Sequence, residues 1–122
     1  MWLGITSSAA LFLFTVSALA DACIFSTAPP FQLRSDAVDW TMQIASGTSC
    51  IRGLKLGPIA ISDVKLIASP QSGQVDIKGP AFSYIANPDF QGQDDFTLQV
   101  SGTMGRIPGV SVIKVTVSVV AK

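Results

Sequence analysis

The chain contains no histidine and no glutamate; all eight of its acidic residues are aspartates. Without histidine, the commonest general base and the commonest metal ligand are missing, which removes Ser-His-Asp hydrolysis. Charge is scarce too, at 13% of residues, where ordinary domains carry about 25%. The 8 Lys+Arg and 8 Asp+Glu cancel to a formal net charge of zero. Nucleic acid rewards a basic surface through counterion release, so no nucleic-acid partner is expected. At 122 residues the chain has room for one domain.

The long hydrophobic run of a membrane span is also missing. Ala9–Val16 is apolar, but polar Thr6, Ser7 and Ser8 cut the stretch short of the roughly 20 residues a transmembrane helix requires. That length suits the apolar core of a signal peptide. Ala18 and Ala20 then supply the small residues of an A-x-A-like cleavage site. Residues 1–20 therefore read as a signal peptide and 21–122 as the mature domain, secreted or periplasmic, with no transmembrane segment. Both cysteines, Cys23 and Cys50, fall in the mature part. In an oxidising compartment an even count reads as a disulfide. The alternative is a lipid on Cys23, but Ala20 stands where bacterial lipoproteins carry leucine.

What the mature part has in quantity is period-two alternation, the mark of half-buried strands. Val38, Trp40, Met42 and Ile44 share one face, opposite Asp39, Thr41 and Gln43. Ile59–Ile61 and Val64–Ile67 form a further apolar stretch broken at Ser62-Asp63. Pro70–Gly73 is a turn, since proline presets φ and glycine accepts positive φ. Short strands follow over 74–78 and 81–86. Phe96, Leu98 and Val100 alternate with polar residues, as do Ile113, Val115, Val117 and Val119. This pattern predicts an all-β, two-sheet antiparallel β-sandwich of about seven strands. The valine-rich last strand should lie inside a sheet, because an exposed apolar edge invites aggregation. Gly102–Gly109 reads as a flexible hairpin loop before it.

The segment Tyr84-Ile85-Ala86-Asn87-Pro88-Asp89-Phe90-Gln91-Gly92-Gln93-Asp94-Asp95-Phe96 resembles the Y-x-P-x-x-x-F-x-G-x-D-x-F signature of bacterial Ig-like and cadherin-like domains. Ala86 takes the place of the signature's proline. The Phe96–Val100 and Val115–Val119 strands and the Pro70–Val75 hairpin also match that family's pattern, and with Gly47–Cys50 the chain is similar to its small secreted, rhizobial-type single-domain members. The resemblance implies an Ig-like sandwich. In physical terms Phe90 and Phe96 anchor a connection between sheets, Gly92 makes a tight turn, Asp94 accepts backbone N–H groups, and Tyr84 buries its ring with its hydroxyl on a backbone partner.

Several patterns bear on chemistry. Asn87-x-Asp89-x-Gln91-Gly92 opens like an EF-hand loop, but the bidentate glutamate position falls on Leu98. A looser calcium site would draw on Asp89, Asp94 and Asp95, residues that turn chemistry also explains. A Ser–Lys pair would draw on Lys55, Lys65, Lys78 or Lys114, with no sequence motif to mark it. Gly102, Gly105 and Gly109 have the wrong spacing for a phosphate loop. Sugar stacking would need Phe25, Phe31 and Trp40 exposed on one surface, whereas alternation places Trp40 in the core.

The sequence therefore predicts an exported, non-catalytic Ig-like module with no cofactor or metal, serving a structural or protein-binding role at the cell envelope. The alternative is a carbohydrate-binding or calcium-dependent adhesion module, with an envelope polysaccharide as partner. The candidate binding loop is Gly102, Arg106 and Gly109; an unpaired sheet edge is the second candidate surface.

Overall fold

Alternating apolar side chains need a layer on which to bury one face, and here two sheets supply it to each other. The structure is a computed structural model that describes residues 23–122, so the expected signal peptide over residues 1–20 lies outside the described residues. The strands are β1 (Cys23–Thr27), β2 (Asp36–Ala45), β3 (Ser49–Gly53), β4 (Ile59–Ala68), β5 (Gly73–Lys78), β6 (Ala81–Ala86), β7 (Gly92–Met104) and β8 (Ile107–Val120). They form a five-stranded sheet in the order β1-β2-β8-β7-β4 and a three-stranded sheet in the order β3-β6-β5. This is the expected all-β two-sheet sandwich, with eight strands among the described residues where about seven were anticipated.

One pairing departs from the antiparallel expectation. β2 runs parallel to β8, from Asp36 opposite Ser111 to Ala45 opposite Val120. Parallel neighbours require a long crossover, and the chain between them builds the whole small sheet together with β4 and β7. β8 sits between β2 and β7, so the valine-rich strand is interior, as its sequence demands.

The core follows the alternation. Trp40, Met42 and Ile44 of β2 face inward with Phe96, Leu98 and Val100 of β7 and Ile113, Val115, Val117 and Val119 of β8. From the small sheet, Phe82, Tyr84 and Ala86 of β6 pack against them. Tyr84 stacks on Phe96 with ring centroids 5.6 Å apart, and Phe82 meets the same ring edge-on at 5.5 Å. Each such ring contributes roughly 1.5–3 kcal/mol by leaving water.

The break expected at Ser62-Asp63 is a β-bulge inside one continuous strand. The register of β4 on β7 shifts between Ile61 and Asp63 and again between Leu66 and Ala68. The first shift reverses which parity faces inward: Ile59 and Ile61 before it, Val64 and Leu66 after it. Ile67, at the second shift, is exposed. Two bulges and the exposed Asp63 and Lys65 blunt β4 as a free edge.

The Gly102–Gly109 segment is corrected most. Met104 pairs with Ile107, so the connection is the two residues Gly105 and Arg106. Gly105 has φ +65° and Arg106 does not share the positive φ, the pattern of a type II′ hairpin turn. Gly102 and Gly109 are ladder partners. They are glycines because other backbone lies against them: a Cβ on Gly102 would overlap the Ala60 carbonyl oxygen, and one on Gly109 the Leu33 carbonyl oxygen. A sequence read as flexible is closely packed backbone.

Candidate functional site

Two sandwich ends, a stapled side and a buried polar network carry the residues singled out above. The network forms around Asp94. Its Oδ1 accepts the N–H groups of Gln71 at 2.9 Å and Asp95 at 3.0 Å, and its Oδ2 accepts Ser72 N–H at 3.0 Å and the Tyr84 hydroxyl at 2.9 Å. Asp94 thus accepts backbone N–H groups as expected, while Tyr84 finds this carboxylate and not a backbone partner. Burial first, then the hydrogen bond and charge of Asp94, push the Tyr84 phenol above its ordinary value. Phe96 is fully buried and Phe90 partly so, and Gly92, with φ +134°, opens β7 against the Phe90 ring. These five residues tie the Pro70–Gly73 turn to β6 and β7. With four donors on its two oxygens, Asp94 is already engaged by the protein, and Asp89 and Asp95 lie exposed without it.

Cys23 and Cys50 form a disulfide with Cα atoms 5.6 Å apart. It joins β1, an edge of the large sheet, to β3, an edge of the small one, closing that side of the sandwich. On the same side Phe25 and Trp40 meet nearly perpendicular at 87°, and the Arg52 guanidinium lies 4.3 Å from the Phe25 centroid and 5.1 Å from that of Trp40. Trp40 is 3% exposed and donates its indole N–H to Pro29 O at 2.8 Å; Phe31 is buried as well. The three rings proposed for sugar stacking therefore present no coplanar surface.

At the opposite pole from Asp94, the loop through residues 28–35 folds over β8. Asp36 holds it. Its Oδ2 accepts Gln32 N–H at 2.9 Å, and its Oδ1 accepts Arg34 N–H at 2.9 Å and the Ser111 hydroxyl at 2.6 Å. Ser111 Oγ in turn accepts Leu33 N–H at 2.8 Å. These bonds support two non-glycine residues with positive φ, Leu33 at 56° and Ser35 at 60°. Partial burial raises the Asp36 pKa, but the Ser111 and backbone hydrogen bonds outweigh it and bring the carboxyl to about 2. A serine beside a carboxylate suggests a nucleophile, yet Ser111 is fully buried and its oxygen already accepts a bond. So acidic a carboxyl is also a poor base.

This pole gathers cations. Strand register brings together the 28–35 loop, the β3–β4 loop of residues 54–58, the β5–β6 turn Gly79-Pro80 and the β7–β8 turn Gly105-Arg106. They bear Arg34, Lys55 and Arg106, with Lys78 ending β5 beside them, all exposed. None of these loops contains an acid. Asp36 has both oxygens occupied, and exposed Asp63, which makes the one ion pair among the described residues with Lys65 at 4.0 Å, lines a shallow hollow beside Gly79 and Pro80 on the β4 side of this pole. Sequence reasoning found Arg106 but missed Arg34 and weighed Lys55 and Lys78 only as partners for a serine; the three are 28 to 72 residues from Arg106 in the chain and near it only through strand register.

Comparison with known proteins identifies no relative for this chain. No family model matches it, and no curated protein does. Among solved structures it is similar to a sialyltransferase from Photobacterium damsela, at 11% identity over 70% of this chain, with a TM-score of 0.41. The match covers 18% of that enzyme's chain. A likeness so slight carries no argument about activity.

Proposed function

We propose that this chain is an exported, non-catalytic Ig-like module of the bacterial Ig-like/cadherin-like type, and that it binds its partner through the sandwich end carrying Arg106. The observation that supports this reading is the concentration at that end of four exposed cations, against Asp63 at its β4 side, which already pairs with Lys65, in a protein whose net charge is zero. An inter-sheet disulfide and the absence of any helix long and apolar enough to cross a membrane, among the described residues, are compatible with a secreted or periplasmic location. The carbohydrate and calcium readings draw less support, since Phe31 and Trp40 are buried, Phe25 is half-buried under Arg52, and Asp94 is fully engaged.

The test is site-specific photo-cross-linking in the native envelope. A photoreactive side chain at position 106 or 34 should capture a partner, and one at position 89, at the opposite end, should not. Capture from position 89 alone would overturn the proposal.

A further inference from the structure

We infer that the partner at this end is an anionic lipid surface, reached by a shallow apolar tip flanked by Arg34 and Arg106; the inference rests on the binding-module reading above. Two features coincide there. One is charge: Arg34, Lys55 and Arg106 on three loops and Lys78 at the end of β5 are exposed around one pole, with Asp63 beside Gly79-Pro80 already paired with Lys65. The other is exposed apolar surface next to Arg106 and Arg34. Ile107, beside Arg106 in the β7–β8 turn, is 72% exposed, more than any other large hydrophobic among the described residues. Half-exposed Met104 is its ladder partner and lines a small hollow with Ile107, Leu33 and Arg34.

The combination separates candidate partners. A soluble acidic polysaccharide would satisfy the cations but gains nothing from a protruding isoleucine, and an acidic protein would do better with donors arranged for hydrogen bonds. A bilayer of anionic lipid rewards both: phosphate headgroups attract the cations, and the interfacial region accepts apolar side chains. The rest of the end favours neither penetration nor rejection, since Pro58, Pro80 and Pro108 are exposed there and carry no charge. The geometry describes a peripheral module that rests on a membrane by one pole while its long axis stands away from it. Asp89 and Asp95 lie at the far pole, where repulsion from the same lipid is least.

The experiment uses the protein recovered from its native envelope, with its natural N-terminus and its disulfide intact. Binding is measured by sedimentation with phosphatidylcholine vesicles, with and without about one third phosphatidylglycerol, at low and high salt. Binding should require phosphatidylglycerol and weaken as salt rises. Arg34→Ala, Lys55→Ala, Lys78→Ala and Arg106→Ala should each weaken it about fivefold, the equivalent of ~1 kcal/mol per cation at such a surface. Lys122→Ala, at the far pole, should change nothing. Ile107→Trp should shift its fluorescence to the blue on the anionic vesicles alone, and Ile107→Ser should lower affinity while unfolding at the same urea concentration as the parent. Failure to bind anionic vesicles, with cation-dependent binding to alginate that Ile107→Ser leaves intact, would overturn the lipid assignment and leave the binding end in place. Vesicle binding that none of the four cation substitutions weakens would overturn both.

Discussion

Replacing Asp94 by alanine removes the acceptor for four donors at once, and the structure says which losses matter. Asp95 and Gln71 are exposed and Ser72 is partly so, so their freed N–H groups can turn to water at little cost. Tyr84 cannot, because it is fully buried, with its hydroxyl on Asp94 Oδ2. A buried donor left without a partner costs about 1–3 kcal/mol, and each bond to a charged acceptor contributes about 1.5–3 kcal/mol. Allowing for rehydration of the exposed amides, Asp94→Ala should cost ~3–5 kcal/mol, a large share of the ~5–15 kcal/mol that holds such a domain together. In urea, monitored by Trp40 fluorescence, the midpoint should fall by about 2–3 M for a slope near ~1.5 kcal/mol/M. Tyr84→Phe removes the stranded hydroxyl, so the double variant should be more stable than the sum of the two single losses predicts by ~1–2 kcal/mol. A midpoint that moves by less than about 0.5 M, or strict additivity in the cycle, would refute the network as described.

Three further outcomes are expected. Reducing the Cys23–Cys50 bridge, which spans 27 residues of sequence, should cost ~3–4 kcal/mol in the same urea assay; native protein whose cysteines alkylate without reductant would contradict the bridge. Gly109→Ala forces a Cβ into the Leu33 carbonyl and should cost ~1–3 kcal/mol and speed hydrogen exchange at Leu33, while Gly53→Ala, with nothing within 4 Å of its Cβ, should stay within about 0.5 kcal/mol. Asp36 is more acidic folded than unfolded, so its contribution is complete above the ordinary value of 3.8 and is lost as pH falls toward about 2. Discounted for solvent screening, that contribution is ~1–2 kcal/mol, and Ser111→Ala should flatten the acid limb of stability between those two pH values.

The sequence made legible what depends on period two. Trp40, Met42, Ile44, Phe96 and Val117 face inward as the alternation requires, and β8 is interior because its valines leave it no stable alternative. Asp94 was legible as an acceptor, since a short carboxylate after a turn glycine commonly caps backbone amides. What escaped depends on contacts distant along the chain. Gly102 and Gly109 looked like loop residues because nothing local shows that Ala60 and Leu33 press against them. The Ser62-Asp63 interruption of an apolar stretch was legible, but not as a bulge, because a bulge and a break both disturb alternation and only the partner strand separates them. The cationic pole was invisible for the same reason: its four side chains come from three loops and the end of β5, which register alone brings together.

The parallel pairing of β2 with β8 also has a bearing on how the molecule comes into being. Asp36 and Ser111 stand 75 positions apart and must meet before the larger layer has its middle. A polypeptide emerging from its N-terminus can assemble β3, β5 and β6 early, yet β1 and β2 then have no neighbour to complete them until the final fourteen-residue strand arrives. Such distant pairing makes acquisition of the native state slow compared with helical proteins of equal size. β8 thus joins the two halves of the larger layer, β1-β2 on one side and β7-β4 on the other, and its removal would leave them without a shared neighbour.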